Sequence, residues 1–255
     1  MLESLLAAAR KTARHDGRPR PSLLAAILLA CCAAAAGAQE TLTPGTMQAR
    51  VAACTGCHGA EGRAGPDGYY PRLAGKPRAY LLEQLQGFRD GRRAYEPMRH
   101  LLAGLPDAYL DEIAGYFSDQ HPPYPPPPRA EAGAAALEQG RRLVVDGDAA
   151  RGLPACAACH GSGLNGMAPA ISGLLGLRRD YLVSQLGGWR SGLRRASDPD
   201  CMGEIAQRLT PEDIGAVSAW LAAQPVPEAY RPGPPSAQPL PLECGSQARA
   251  LGERP

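Results

Sequence analysis

A Cys-x-x-Cys-His run occurs at 54–58 and again, 102 positions later, at 156–160. At this spacing two thiols can add to the vinyl groups of one porphyrin, and the adjacent histidine is placed to bind the iron. The repeat therefore predicts two covalently bound haem c groups and one-electron chemistry. The predicted attachment cysteines and iron-binding histidines are Cys54, Cys57 and His58 in the first run, and Cys156, Cys159 and His160 in the second.

A Cys-x-x-Cys pair also occurs in zinc sites and in thioredoxin-like redox proteins. A zinc site needs two further ligands at short spacing, and none follow either run. A thioredoxin-like pair belongs to a βαβ setting, and no strand pattern lies near either run. A structural disulfide within each run remains an alternative, but the repetition and the trailing histidine favour haem.

Similar apolar patterns follow the two runs and predict the helices that surround each cofactor. Leu81, Leu85 and Phe88 are spaced i, i+4, i+7, which is typical of an amphipathic helix. The same spacing recurs in the second half, and each half also has a later apolar helix. The corresponding residues are Leu182, Leu186 and Trp189, then Leu110, Ile113 and Phe117, and Ile214, Val217 and Leu221. With a further helix expected before each run, near 47–53 and 132–145, the predicted fold class is all-α.

The iron position left open by each histidine decides the chemistry, because a methionine there favours reversible electron transfer and raises the reduction potential. Met98 and Met202 follow His58 and His160 by 40 and 42 residues, each in a loop before the last helix of its half. We therefore expect Met98 and Met202 to bind the irons. His100 is a rival ligand in the first half, and gap-filling in the core is the alternative for both methionines.

Residues 1–38 have the features of an export signal. A basic start precedes an apolar stretch from Ser22 to Ala36, and the small residues at 36–38 form a cleavage site. The segment 28–31 also resembles a lipoprotein box with Cys31 as the lipidated residue, so a membrane tether through the N-terminus is an alternative. We expect a periplasmic protein in either case.

Charge argues against nucleic acid as a partner. The whole chain carries a net charge of +2, but residues 1–38 hold five of its 27 basic and two of its 25 acidic residues. Without them the net charge is −1, so the basic excess comes from the signal. Redox proteins are therefore the expected partners.

Proline-rich segments divide the chain. A polyproline stretch begins at 121 and predicts a stiff linker between the halves, and a second proline-rich stretch begins near 226. The low aromatic content (5%) predicts a thin core in each half, which an apolar cofactor would complete. The predicted organisation is a signal peptide at 1–38, domains at 41–120 and 131–225, a linker at 121–130 and an extended tail at 226–255.

The combination resembles the dihaem class I c-type cytochromes of the cytochrome c4 family. The matching features are both Cys-x-x-Cys-His-Gly runs, the turn at 71–75, the Tyr-Leu-x-x-Gln-Leu helices, and the segments around Met98 and Met202, over about residues 45–225. The resemblance implies two tandem cytochrome c domains, each with a His/Met-ligated haem c. It implies that Cys54, Cys57, His58 and Met98 serve haem one, and that Cys156, Cys159, His160 and Met202 serve haem two.

Two cysteines remain after the haem motifs and the signal are set aside. They are Cys201, next to Met202, and Cys244 in the tail, which extends beyond the region of resemblance. Unassigned cysteines in an oxidising compartment often pair. We hypothesise a Cys201–Cys244 disulfide that straps the tail over the distal side of haem two; two buried free thiols are the alternative.

Three functions follow from these residues. The first is electron transfer in a respiratory chain through two His/Met-ligated haems, without substrate chemistry, as the resemblance also implies. The second is a cytochrome subunit that accepts electrons from a dehydrogenase. The third, a dihaem peroxidase, needs an iron with an open position, and both predicted methionines argue against it.

Overall fold

The computed structural model describes residues 43–65 and 69–252, so the predicted signal at 1–38 lies outside the described residues. The described part is helical, with one short hairpin. The first half contains α1 (Met47–Arg50), α2 (Ala52–His58), α3 (Arg78–Arg89), α4 (Glu96–Leu102) and α5 (Asp107–Ser118). The second half contains α6 (Ala134–Val145), α7 (Cys156–His160), β1 (Gly166–Met167), β2 (Ile171–Ser172), α8 (Arg179–Arg190), α9 (Cys201–Arg208) and α10 (Pro211–Ala222). The tail ends in α11 (Gly245–Leu251).

The apolar spacing predicted the principal helices correctly. In the first half α3 packs on α5, and Leu81, Ile113 and Phe117 are buried between them. In the second half α10 packs on both α6 and α8. Each of these helices buries one apolar face against its neighbours. We expect the cofactor to fill the remaining space in the core of each half.

Four elements differ from the sequence-based expectation. Met98 and Met202 lie in the short helices α4 and α9 rather than in loops. The side chain of Asp200 caps α9 by accepting a hydrogen bond from the backbone N–H of Gly203 (2.9 Å), and Pro97 occupies the first turn of α4. A two-residue hairpin follows α7, and the extended tail ends in a helix, because neither is long enough to give a periodic pattern.

The proline-rich linker is held against the first half. The guanidinium of Arg72 lies 3.7 Å from the ring centroid of Tyr124 and donates hydrogen bonds to the carbonyls of Pro122 and Pro123. The Tyr124 ring also meets the ring of Tyr230 in the tail edge-on, at 5.5 Å. The linker therefore contacts both the first half and the tail. From Pro44 onward the chain forms one compact unit, and the domain boundaries given above remain predictions.

None of the helices in the described ranges is both long and apolar enough to cross a bilayer.

Candidate haem-binding sites

Helices α2 and α7 present the two Cys-x-x-Cys-His runs in the same way. Each helix ends at its histidine, and a glycine follows in the left-handed region, Gly59 with φ 75° and Gly161 with φ 83°. A Cβ on Gly59 would lie 2.5 Å from the carbonyl oxygen of Ala64. Only glycine fits this sharp turn, which leads the chain away from the histidine.

Both histidines have one ring nitrogen occupied. Nδ1 of His58 lies 2.8 Å from the carbonyl oxygen of Pro71, and Nδ1 of His160 lies 2.7 Å from that of Ser172. Because a carbonyl oxygen only accepts, Nδ1 must carry the proton, and Nε2 is left with a free lone pair. Burial also lowers the pKa of both imidazoles, which favours the neutral form that binds iron.

The thiols do not resemble those of a redox-active pair. Burial raises the pKa of Cys54, and it raises the pKa of Cys156 to about 11. Reactive cysteines in thioredoxin-like motifs have lowered pKa values, because the thiolate is the nucleophile. Protonated, partly buried thiols suit permanent attachment of an apolar group better than thiol–disulfide exchange.

Each run opens onto a cavity that also contains a methionine. The first cavity, of about 360 Å³, is lined by Cys54, His58 and Met98 among others. His100, the rival ligand, is exposed and lies outside that lining. The structure thus brings Met98 to the cavity of the first run, while binding of its sulfur to iron remains a prediction.

The second cavity, of about 170 Å³, is lined by Cys156, Cys159, His160 and Met202. Cys201 lines it as well and is joined to Cys244 by a disulfide, with the two Cα atoms 5.1 Å apart. As in the first half, a methionine at least 40 positions beyond the histidine reaches the cavity of the Cys-x-x-Cys-His run.

The remaining walls are largely apolar and come from the helices that the sequence predicted. The residues from these helices are Leu81, Leu85, Phe88, Ile113 and Phe117 in the first cavity, and Leu182, Leu186, Trp189, Val217 and Leu221 in the second. Both thiols of the second run line their cavity, whereas in the first run only Cys54 does and Cys57 is exposed. An apolar cavity with a thiol, an imidazole and a thioether suits a porphyrin, which is flat and apolar over most of its surface.

The two cavities share a wall where the halves meet, and the sequence analysis did not identify it. The amide oxygen of Gln84 accepts hydrogen bonds from Arg93 (3.1 Å) and Arg194 (2.8 Å), and that of Gln185 accepts from the same two arginines. We call these four residues the Arg–Gln cluster. Backbone hydrogen bonds join the two segments that carry these arginines. Ala94 N donates to the carbonyl of Leu193, and Arg195 N donates to that of Arg92, each at 2.7 Å.

Positive charge is concentrated at this wall. Arg194 is only 6% exposed, and burial lowers its pKa and that of nearby Lys76. Burial alone would raise the pKa of Tyr80, but Arg194, Lys76 and Arg93 bring it down to about 8. Among the described residues, the hydrogen-bond acceptors of the two arginines are amide and phenol oxygens rather than carboxylates.

Buried cations without anions are costly, so this wall calls for negative groups from a ligand. A haem carries two propionate carboxylates, and Arg93, Arg194 and Lys76 are placed to bind them. Trp189 lines the second cavity, and its buried Nε1–H finds no acceptor within the described residues. A carboxylate would satisfy that donor too, so the residues present fit a haem in each cavity.

The duplication itself carried a signal for this wall. Gln84 and Gln185 occupy the same place in the Tyr-Leu-x-x-Gln-Leu helices, and an arginine follows each helix at 93 and 194. A glutamine repeated at the same helix position in both copies, each followed by an arginine, indicates a shared role. The contact between the copies spans 110 positions, so no local pattern could reveal it.

The comparisons with known proteins agree with this geometry. The family model described as cytochrome c matches residues 44–120. A protein of Thiomonas intermedia named thiosulfate dehydrogenase electron acceptor is 39% identical over 176 residues, which cover 69% of this chain and 80% of that protein. Cytochrome c4 of Pseudomonas aeruginosa is 36% identical over 179 residues, covering 68% of this chain and 85% of that one.

A solved structure gives the same result for the fold. Reduced recombinant cytochrome c4 from Pseudomonas stutzeri superposes with a TM-score of 0.59 at 33% identity, covering 69% of this chain and 95% of that one. The similarity therefore extends over both halves. Together with two cavities that each combine a Cys-x-x-Cys-His run with a methionine, it shows that this chain belongs to the cytochrome c4 family of dihaem electron-transfer proteins.

Proposed function

We propose that this protein accepts electrons from a dehydrogenase in the periplasm and passes them, one at a time, through two haems to a respiratory acceptor. The observation that carries the proposal is the shared wall between two cavities of the same composition. Tyr80, Gln84, Tyr181, Gln185 and Arg194 line both cavities. An electron accepted in one half can therefore cross to the other without leaving the protein interior.

The residues of each site have distinct tasks. The cysteine pairs would attach the cofactor, Nε2 of His58 and of His160 would bind the iron, and the thioethers of Met98 and Met202 would supply the second protein ligand to each iron. When bound, haem supplies a one-electron couple between ferrous and ferric iron. The apolar helices would exclude water from the iron, and Arg93, Arg194 and Lys76 would hold the propionates.

A dehydrogenase is favoured as partner by the name of the Thiomonas intermedia relative, which is a thiosulfate dehydrogenase electron acceptor. The mouth of the first cavity suits a transient protein contact. Tyr69, Leu101 and Leu193 line that cavity with exposures of 64%, 42% and 60%. Large apolar side chains that stay exposed around a redox site favour short-lived docking.

The protein itself carries out no substrate chemistry in this proposal. A dihaem peroxidase needs one iron with a displaceable or absent ligand, whereas each cavity here contains a methionine. Export by the signal predicted at 1–38 places the protein in the periplasm, with or without a tether through its N-terminus.

The test is rapid mixing of the oxidised holoprotein with a thiosulfate dehydrogenase and thiosulfate, followed by the α-band of the reduced haems. We expect reduction that depends on both the dehydrogenase and its substrate. Leu101→Asp should slow this reduction at least tenfold, because it places a charge at the docking face.

Val145→Asp is the matched control. Val145 is exposed to the same degree as Leu101 (45% against 42%) but lines neither cavity. Equal slowing by both variants, or reduction by thiosulfate alone at the same rate, would contradict the proposal.

A further inference from the structure

The C-terminal strap, residues 226–252, is fixed to the second half at several points along its length. The hydroxyl of Tyr230 donates a hydrogen bond to the carbonyl of Leu164 and accepts one from the backbone N–H of Leu175 (2.9 Å). Farther on, Gly233 pairs with the backbone of the β1 segment. The strap thus follows the surface of the second half before it reaches α9.

The end of the strap is attached beside Met202. Cys244 is bonded to Cys201, the residue immediately before Met202 and the first residue of α9. Next to it, Gly245 N donates to the carbonyl of Pro199 (3.0 Å). A covalent bond and a backbone hydrogen bond therefore hold the chain on the N-terminal side of Met202.

The strap also forms part of the wall of the second cavity. Leu242, Cys244 and Ser246 line it together with Met202. Beyond the disulfide, the side chain of Gln247 accepts from Ala170 N (3.1 Å) and donates to the carbonyl of Ala168 (3.2 Å). Because Gln247 is only 8% exposed, α11 is packed against the second half at this point; Arg249, farther along α11, lies 3.8 Å from Glu83 in α3 of the first half.

The first half has no such reinforcement among the described residues. Met98 follows Pro97 in α4, whose N-cap residue, Tyr95, makes no capping hydrogen bond through its side chain. The mouth of the first cavity keeps its exposed apolar side chains, whereas none of the exposed large apolar side chains in the described part of the chain lines the second cavity. The two methionines are therefore held in different ways.

We infer that the Cys201–Cys244 disulfide and the strap position Met202 as the ligand of haem two and keep water from that site, so that the strap raises the reduction potential of haem two alone. A thioether ligand and exclusion of water both favour ferrous iron, and loss of either lowers the potential. Cys201 and Cys244 are positioning residues in this account. The inference rests on the His/Met assignment made in the proposed function, but not on the identity of the electron donor.

The test is a spectroelectrochemical titration of the holoprotein and of the Cys201→Ser, Cys244→Ser double variant. We expect the reduction potential of one of the two one-electron steps to fall by at least 59 mV, which is a tenfold change in its equilibrium constant, while the other potential stays unchanged. The methionine–iron charge-transfer band should weaken by up to half, at an unchanged two haems per chain.

Two further variants separate positioning from loss of stability. In Gly245→Ala the new Cβ would lie 1.9 Å from the carbonyl oxygen of Asp198, so the strap must move while both cysteines remain. This variant should lower the same reduction potential as the double variant does. Tyr230→Phe removes the hydroxyl that bonds the strap to Leu164 and Leu175, and residue 230 does not line the second cavity. This variant should lower the melting temperature but leave both reduction potentials unchanged.

The inference is overturned if the double variant and Gly245→Ala leave both reduction potentials unchanged, or if they lower both potentials equally. It is also overturned if Tyr230→Phe lowers the same potential by as much. A wild-type protein with a high-spin or bis-histidine haem would instead overturn the ligand assignment. The wild-type titration therefore distinguishes failure of the inference from failure of the proposed function.

Discussion

Replacement of Asp213 by alanine should destabilise the second half, because this carboxylate fixes the start of α10. Asp213 is 2% exposed and accepts hydrogen bonds from Arg151 (2.6 Å), Gln139 (2.8 Å) and the backbone N–H of Thr210 (3.0 Å). The Thr210 hydroxyl oxygen in turn accepts a hydrogen bond from the backbone N–H of Asp213 (3.1 Å), which completes a capping box. The residue thus ties α10, which lines the second cavity, to α6 and to Arg151.

The expected cost is about 3 kcal/mol. Loss of the cap contributes about 1 kcal/mol, and loss of hydrogen bonds to a buried charge contributes about 1.5–3 kcal/mol. We take the lower part of that range, because the Arg151 side chain is 37% exposed and water can replace its lost partner. For a unit of this size the melting temperature should fall by roughly 6–12 °C.

The assay is thermal unfolding of the holoprotein, followed by far-ultraviolet circular dichroism. Glu212→Gln is the matched control, since Glu212 is an exposed neighbour in the same first turn and its replacement should cost less than about 0.5 kcal/mol. A shift below 2 °C for Asp213→Ala, or equal shifts for both variants, would refute the reasoning.

The Asp213 carboxylate also predicts how the stability of the protein depends on pH. Burial acts to raise the pKa of Asp213, but Arg151, the Thr210 N–H and Gln139 together bring it below its ordinary range. A carboxyl whose pKa is lower in the folded state stabilises above its unfolded pKa and loses that contribution as the pH falls through the folded value. The difference in melting temperature between wild type and Asp213→Ala should therefore be full near neutral pH and shrink in strong acid; a constant difference down to pH ~2 would contradict this.

The remaining predictions concern the cofactors. Arg194→Met should lower both reduction potentials by tens of millivolts, because a unit positive charge in the wall that both cavities share favours ferrous iron by on the order of 1 kcal/mol at an effective dielectric of about 20; unchanged potentials in a redox titration would rule out Arg194 as a charge shared by both sites. Met98→Ala should remove about half of the methionine–iron band and lower one potential, while His100→Ala changes neither; the opposite pattern in the optical titration would make His100 the ligand.

The helices were predictable where the signal is local. The i, i+4, i+7 spacing of Leu81, Leu85 and Phe88 depends only on residues within one helix, and the structure confirms that helix at Arg78–Arg89. A covalent motif such as Cys-x-x-Cys-His is local for the same reason. These features indicate fold class and cofactor without any knowledge of tertiary contacts.

The wall between the halves was not predictable in this way. Arg194 and Gln84 meet across 110 positions, and an isolated arginine in a sequence is normally expected at the surface. The short helices around Met98 and Met202 were also missed, because seven or eight residues make only about two helical turns and their ends depend on caps such as Asp200. The wall depends on contacts made only after the halves pack together, whereas the short helices depend on their end caps.

The measurement that tests the account most directly is a combined optical and redox titration of the purified holoprotein. We expect two low-spin haems per chain, both with the methionine–iron band, that titrate as two distinct one-electron steps. A single haem per chain, a high-spin component or a bis-histidine spectrum would contradict the claim that Cys54–His58 with Met98, and Cys156–His160 with Met202, form two electron-transfer sites.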